Sequence, residues 1–262
     1  MRARPPIDRR RLLISGVAAV TLGLAGRAGA QSTAIPARPF VAVPIPHRIP
    51  RTRRPMRIGV IGSGNVGGTL GELFARGGHQ VMFSDLDPAA AKAQAARVRR
   101  GARAGSGEQA IAFADVVVIA VPFGAWPSVG RQYAPMLKGR IVLDPTNPNA
   151  QRDGAVGAAA LSKASTGEAV AEYLPGAKIV RAFNTMAYEN FAKEAGRPKP
   201  RMGIPLAAND PAAMALCARL IADLGFDPVQ VGGGLNGSAR FELRGPASGP
   251  KTAAELKTIM GV

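Results

Sequence analysis

The sequence predicts an α/β fold: a doubly wound, mostly parallel sheet covered by helices, with a small C-terminal extension. Three observations predict it. Hydrophobic residues make up 47% of the 262 residues, yet there are only nine Phe, three Tyr and one Trp, so the core is built mostly from Ala, Val, Leu and Ile. That composition suits strands buried on both faces. Short apolar runs alternate with helical patterns from residue 57 to residue 231, the order of a chain of βαβ units. A glycine-rich turn stands between the first of those runs and the first helix.

The segments ahead of that turn are of a different kind. Asp8-Arg9-Arg10-Arg11-Leu12-Leu13 matches a twin-arginine signal, and an apolar stretch from Leu12 to Leu24 follows it. The stretch is too short and too weakly apolar to stay in a membrane. Ala28-Gly29-Ala30 is an A-x-A cleavage site, with cutting expected after Ala30, and no Cys follows to carry a lipid. Residues 1–30 are therefore expected to be an export signal, the protein to be periplasmic, and contact with the membrane to be transient. Residues 31–56 hold six prolines, at 36, 39, 44, 46, 50 and 55. They are expected to form an extended, solvated Pro/Arg-rich linker, and residues 57–262 to form the folded domain.

The charge follows the same division. Of the formal +17, residues 1–30 carry +5 and residues 31–57 carry +6, which leaves +6 on the rest. No basic face with interleaved aromatics follows, so no nucleic-acid partner is expected. The single Cys217 lies in a helical run and excludes both an intramolecular disulfide and a Cys-based metal site.

Arg57–Ile61 reads as the first strand, and Gly62-Ser63-Gly64-Asn65-Val66-Gly67 follows at once. A helical pattern over Val66, Leu70, Leu73 and Phe74 stops at Gly77-Gly78, and Gln80–Ser84 is the second strand. A GxGxxG turn set between a strand and a helix, with a second strand closing the unit, is the Rossmann arrangement that binds dinucleotides. Gly62 makes the tight turn, Gly64 lets a pyrophosphate approach the backbone, and Gly67 lets helix and strand pack closely. The helix N-terminus offers unpaired N–H groups to the phosphates. Ser84 and Asp85 end the second strand. An acid there accepts hydrogen bonds from the adenosine ribose and repels a 2′-phosphate, which favours NAD(H). Asp87 is the better cap for the helix begun at Pro88, and that leaves Asp85 free for the ribose.

Later strands are expected at Asp115–Val121, Gly139–Asp144, Lys178–Phe183, Met202–Ala207 and Asp227–Val231, with helices at Ala89–Arg100 and Pro211–Gly225. Three of them end in groups that suit the nicotinamide edge of such a sheet: Pro122-Phe123, Asp144 with Thr146 and Asn147, and Asn184-Thr185. Asn147 and Asn184 either hold the carboxamide or an acceptor, or satisfy loop backbone. His47 lies in the linker and His79 in the Gly77–Gln80 turn, away from any base role, and no catalytic triad or metal-ligand spacing occurs. No catalytic side chain or metal is expected. Hydride transfer between two redox cofactors needs positioning more than proton chemistry.

Residues 57–262 resemble the coenzyme F420-dependent NADP oxidoreductases, in an exported bacterial form. The resemblance is carried by Ile58–Gly67, Asp115–Pro122, Ile141–Pro148, Gly167–Pro175, Lys178–Thr185 with its Ala-Phe-Asn-Thr stretch, Leu206–Asp210 and Gly233–Glu242. It implies hydride transfer between nicotinamide and a deazaflavin, with Ser63, Asn65 and Val66 at the phosphates, Ser84 at the adenosine ribose, and Val121, Pro122 and Ala182 at the nicotinamide. The family usually has Arg where this chain has Asp85. The expected ligands are thus NAD(P)(H) with coenzyme F420 or a flavin as second substrate. A reductase of another acceptor such as chelated iron and a non-catalytic dinucleotide-binding module stay open, as does a homodimer formed through Leu235–Gly261.

Overall fold

The computed structural model describes residues 40–262. The expected signal peptide and the first part of the linker lie outside the described residues. The chain runs β1 (Arg57–Ile61), α1 (Asn65–Arg76), β2 (Gln80–Ser84), α2 (Pro88–Val98), β3 (Arg103–Ala104), α3 (Gly107–Phe113) and β4 (Val116–Ile119). A 3-10 turn (Phe123–Ala125) leads to α4 (Trp126–Leu137), β5 (Ile141–Asp144), α5 (Ala150–Leu161), α6 (Thr166–Tyr173) and β6 (Lys178–Ala182). The remainder is α7 (Tyr188–Glu194), β7 (Gly203–Ala208), α8 (Pro211–Asp223), β8 (Asp227–Gln230), a second 3-10 stretch (Gly234–Phe241) and α9 (Ala253–Met260).

The eight strands form one sheet in the order β3-β2-β1-β4-β5-β6-β7-β8. All pairs are parallel except β6 with β7. The Rossmann-type, mostly parallel sheet expected from the sequence is therefore present, and the 3-10 stretch and α9 make its C-terminal extension. Alternate residues of one strand feed opposite layers. In β4, Val116 and Val118 join a core with Leu70, Leu73 and Phe74 of α1, whereas Val117 and Ile119 join Trp126 and Leu137 of α4. Burial on both faces is why β4 reads as an unbroken apolar run. Small residues bring the layers together: a Cβ on Gly71 would lie 2.3 Å from the Phe83 ring, and one on Gly59 2.4 Å from the Ala110 carbonyl oxygen.

Helix starts follow local chemistry. Asp87 accepts a hydrogen bond from the Ala89 N–H with Pro88 in the first turn, and Asp210 does the same for Ala213 with Pro211. Ser106 and Gln109 form a capping box at α3.

Residues 40–56 depart from the solvated tether expected of them. They lie against the domain, with Ile49 and Met56 only 6% and 8% exposed. The Thr52 N–H donates to the Gly77 carbonyl at 2.8 Å, the Gln80 N–H to the Met56 carbonyl at 2.9 Å, and the Met56 N–H to His79 Nδ1 at 3.2 Å. The prolines preset an extended path, as expected, but Ile49 and Met56 bury themselves against the domain. Among the described residues no helix is long and apolar enough to cross a membrane.

Candidate functional site

The sheet order reverses direction between β1 and β4: β2 and β3 lie on one side, β5 to β8 on the other. The crevice beyond the carboxyl ends of the strands at such a switch point is where open α/β sheets bind ligands. The loops after β1 and β4 meet there. A Cβ on Gly62 would lie 2.5 Å from the Ala120 carbonyl oxygen and 3.2 Å from Val121 Cγ1. Gly62 also holds φ +90°, in the region that favours glycine. A Cβ on Gly67 would come within 1.9 Å of the Gly62 carbonyl oxygen, so α1 starts hard against its own turn.

The first hydrogen bond of α1 runs from the Gly68 N–H to the Gly64 carbonyl at 2.6 Å. Amides ahead of it belong to the end of the helix that has no internal acceptor, and no acidic side chain sits in the first turn. The positive end of the helix dipole thus faces the crevice. Asn65 and Val66 are half-buried on that turn, and Asn65 Oδ1 accepts a hydrogen bond from the Val41 N–H at 2.8 Å.

Ser63 and Ser84 are each only 3% exposed. The N–H and the Oγ of Ser63 both donate to Asp85 Oδ2 at 2.7 Å, and the Asp87 N–H donates to Asp85 Oδ1 at 3.2 Å. These bonds correct two expectations: the Asp85 carboxylate is not free but clasps the glycine turn, and both donors of Ser63 are spent on it and not left for a phosphate.

The nicotinamide edge also differs in part from expectation. Val121 is half-buried and Pro122 exposed beside the turn. Phe123 is fully buried, edge-to-face with Trp126 at 6.5 Å, so its ring is core and not lining. Its 3-10 turn is held by Asp153. Burial works to raise that carboxyl, but hydrogen bonds from Arg152, the Gly124 N–H and the Asn149 N–H keep it below the usual range. Ala182 and Asn184 are buried. Asn184 Nδ2 donates to the Phe241 carbonyl at 3.0 Å, and Asn147 Nδ2 to the Asn184 carbonyl at 2.8 Å. Each amide thus gives its N–H to loop backbone, while Asn184 Oδ1 stays buried with no partner among the described residues.

Sequence reasoning missed what organises this edge. Arg181, in β6, is fully buried opposite Asp144, its register partner in β5. Its Nη1 donates to Asp144 Oδ2 at 2.8 Å and to the Thr146 carbonyl; its Nη2 donates to Asn147 Oδ1 at 3.0 Å and Glu242 Oε2 at 3.3 Å. Thr146 donates to Asp144 through its N–H and its Oγ1. Complete burial pushes the Asp144 carboxyl upward, and Arg181 and Thr146 pull it back. The signal was present: an arginine inside an apolar strand beside a strand ending in aspartate is a pair, since a buried charge needs a partner. Among the described residues no group of three or more His, Cys, Asp or Glu is placed to hold a metal ion.

This geometry has known counterparts. Residues 57–148 match the family model of the coenzyme F420-dependent NADP oxidoreductases. The matched stretch carries β1 to β5 and both loops of the switch point, so the resemblance drawn from the sequence is shown for the segment that holds the glycine turn, about a third of the chain. A hypothetical protein from Sinorhizobium meliloti has a similar structure: 26% identity, TM-score 0.65, covering 76% of this chain and 96% of that one. A proposed F420-dependent NADP reductase from Arthrobacter sp. FB24 is also 26% identical, with TM-score 0.57, covering 71% of this chain and 87% of its own. An imine reductase from Pseudomonas sp. shares the fold at 15% identity, with TM-score 0.53 over 70% of this chain and 58% of that one. The family match and the Arthrobacter likeness support NAD(P)-dependent oxidoreduction, and the imine reductase shows the shared fold alone.

Proposed function

We propose that this chain is a periplasmic NAD(P)-dependent oxidoreductase that passes a hydride between nicotinamide and a deazaflavin, coenzyme F420, or a flavin. One observation carries the dinucleotide site. Gly64 has φ −65°, open to any residue, and a Cβ there would meet no protein atom within 4 Å. Nothing inside the fold requires glycine at this point of the turn. A pyrophosphate that must reach the backbone does require it.

The residues present fit such a ligand. The amides at the start of α1 would hold the pyrophosphate, the end of β2 at Ser84 and Asp85 would meet the adenosine ribose, and Val121 with Pro122 would flank the nicotinamide. When bound, the nicotinamide supplies the hydride at its C4. The chain's own task is orientation. The Asp144–Arg181–Asn147 network fixes the loop after β5, and Asp153 fixes the turn after Pro122, so the walls of the crevice are set before any ligand arrives. Hydride transfer to a deazaflavin or flavin also takes up one proton at the ring nitrogen, and water supplies it, while the cofactors carry the hydride chemistry.

Asp85 supports NADH over NADPH, since its charge opposes a 2′-phosphate. Titration of the full chain with each nucleotide by calorimetry tests this. NADH is expected to bind at least tenfold tighter, about 1.4 kcal/mol, and tighter NADPH binding would overturn the preference. Mixing the loaded protein with oxidised F420 or FMN and following nicotinamide absorbance tests the acceptor. Tight binding with no turnover on any acceptor would favour a non-catalytic module. Exposed Leu243, Ile259 and Val262 on the C-terminal extension support pairing of two copies through that tail, which a solution mass tests.

A further inference from the structure

We propose that residues 40–56 form a strap that sets dinucleotide affinity by orienting the amide of Asn65. This rests on the dinucleotide reading above and adds to it a positioning element contributed from outside the Rossmann unit.

The strap is anchored at its far end by Ile49, Met56 and the backbone bonds to Gly77, His79 and Gln80. At its near end it reaches the start of α1. The Phe40 ring lies over the helix where Gly68 leaves room: a Cβ on Gly68 would come within 2.6 Å of that ring. The Arg97 guanidinium stacks on Phe40 at 4.2 Å and pairs with Glu72 at 2.6 Å, so the ring is clamped between α1 and α2. The next residue, Val41, is exposed and directs its N–H to Asn65 Oδ1.

That one bond decides which half of the Asn65 amide is left over. An asparagine amide has a carbonyl oxygen that accepts and an NH₂ that donates. With the oxygen tied to the strap, the two N–H donors remain for another partner. Asn65 is the first residue of α1, at the end of the helix that would meet the pyrophosphate. Donors suit phosphate oxygens, whereas a carbonyl oxygen turned the other way would repel them. The strap therefore selects the amide orientation that favours the anion, and removing the Val41 N–H frees the amide to turn over.

The test uses the full chain with V41P, N65A and the V41P/N65A double variant. Proline removes the donor in a segment already rich in proline. NADH and NADPH are titrated against each, with melting temperature as the check on folding. V41P is expected to weaken the preferred nucleotide five- to tenfold, N65A at least as much, and the double variant no more than N65A alone. V41P that binds like the parent overturns the proposal. So does V41P that adds its full loss on top of N65A, because the strap would then act elsewhere. If V41P lowers the melting temperature too far, N65D replaces it. That substitution keeps the acceptor for Val41 and removes the donors, and unchanged binding by N65D overturns the proposal. A parent chain that binds neither nucleotide overturns the dinucleotide reading itself, a result distinct from a binding parent with an indifferent V41P.

Discussion

Two glycines of one turn make opposite predictions. G64A is expected to leave stability within about 0.5 kcal/mol, because its Cβ would meet nothing, and to weaken nucleotide binding severalfold. G67A would drive a Cβ into the Gly62 carbonyl and is expected to cost about 1–3 kcal/mol of folding stability. Denaturant melts and nucleotide titrations on the pair separate the ligand's demand from the fold's. A third residue-scale prediction concerns Arg181. R181M leaves Asp144 buried without its partner, and a loss of about 3–5 kcal/mol is expected; a loss under 1 kcal/mol in urea unfolding would show that the pair is not what holds this edge. The glycines were legible in the sequence because their spacing encodes backbone geometry directly. Asp85 was legible as the acid ending β2. Its bonds to Ser63 were not, since they depend on how closely the turn folds back over the strand end. Phe123 misled because an aromatic at a strand end reads alike whether its ring turns to the crevice or to the core.

At the scale of elements, the strap and its anchor make a pH prediction. His79 is buried; burial lowers its pKa, Asp223 at 3.4 Å pulls it back up, and Arg219 lowers it again. The net direction is down from 6.5. Nδ1 accepts the Met56 N–H, which only an unprotonated Nδ1 can do. Below about pH 6.5 the unfolded chain binds a proton that the folded chain resists. The stabilisation is therefore complete above that pH and is lost as pH falls through the lowered folded value. Hydrogen exchange at residues 49–56 is expected to accelerate on acidification through that range, and H79Q to flatten the response. The first strands and α1 were legible from period and caps. The capping box of α3 stood in plain view at Ser106 and Gln109, but a seven-residue helix carries too little periodicity to declare itself. The antiparallel turn of β7 was not legible, because pairing direction is settled by which strand lies alongside.

For the whole molecule, the basic excess at the N-terminus and the twin-arginine pair are read as an export address. The double variant R9K/R10K is expected to stay in the cytoplasm, as fractionation would show, with its nucleotide binding unchanged. The sheet itself carries a consequence for assembly. One of its margins is a strand of two residues, Arg103–Ala104, and the other, Asp227–Gln230, carries Pro228. An unpaired ladder invites strands from other chains, and a very short strand or a proline denies them a foothold. Neither side of this sheet offers a template of any length. Among the described residues, two copies therefore find little with which to extend one sheet into the next, and a chain that meets its neighbours at high density is guarded at these margins against growing into fibres.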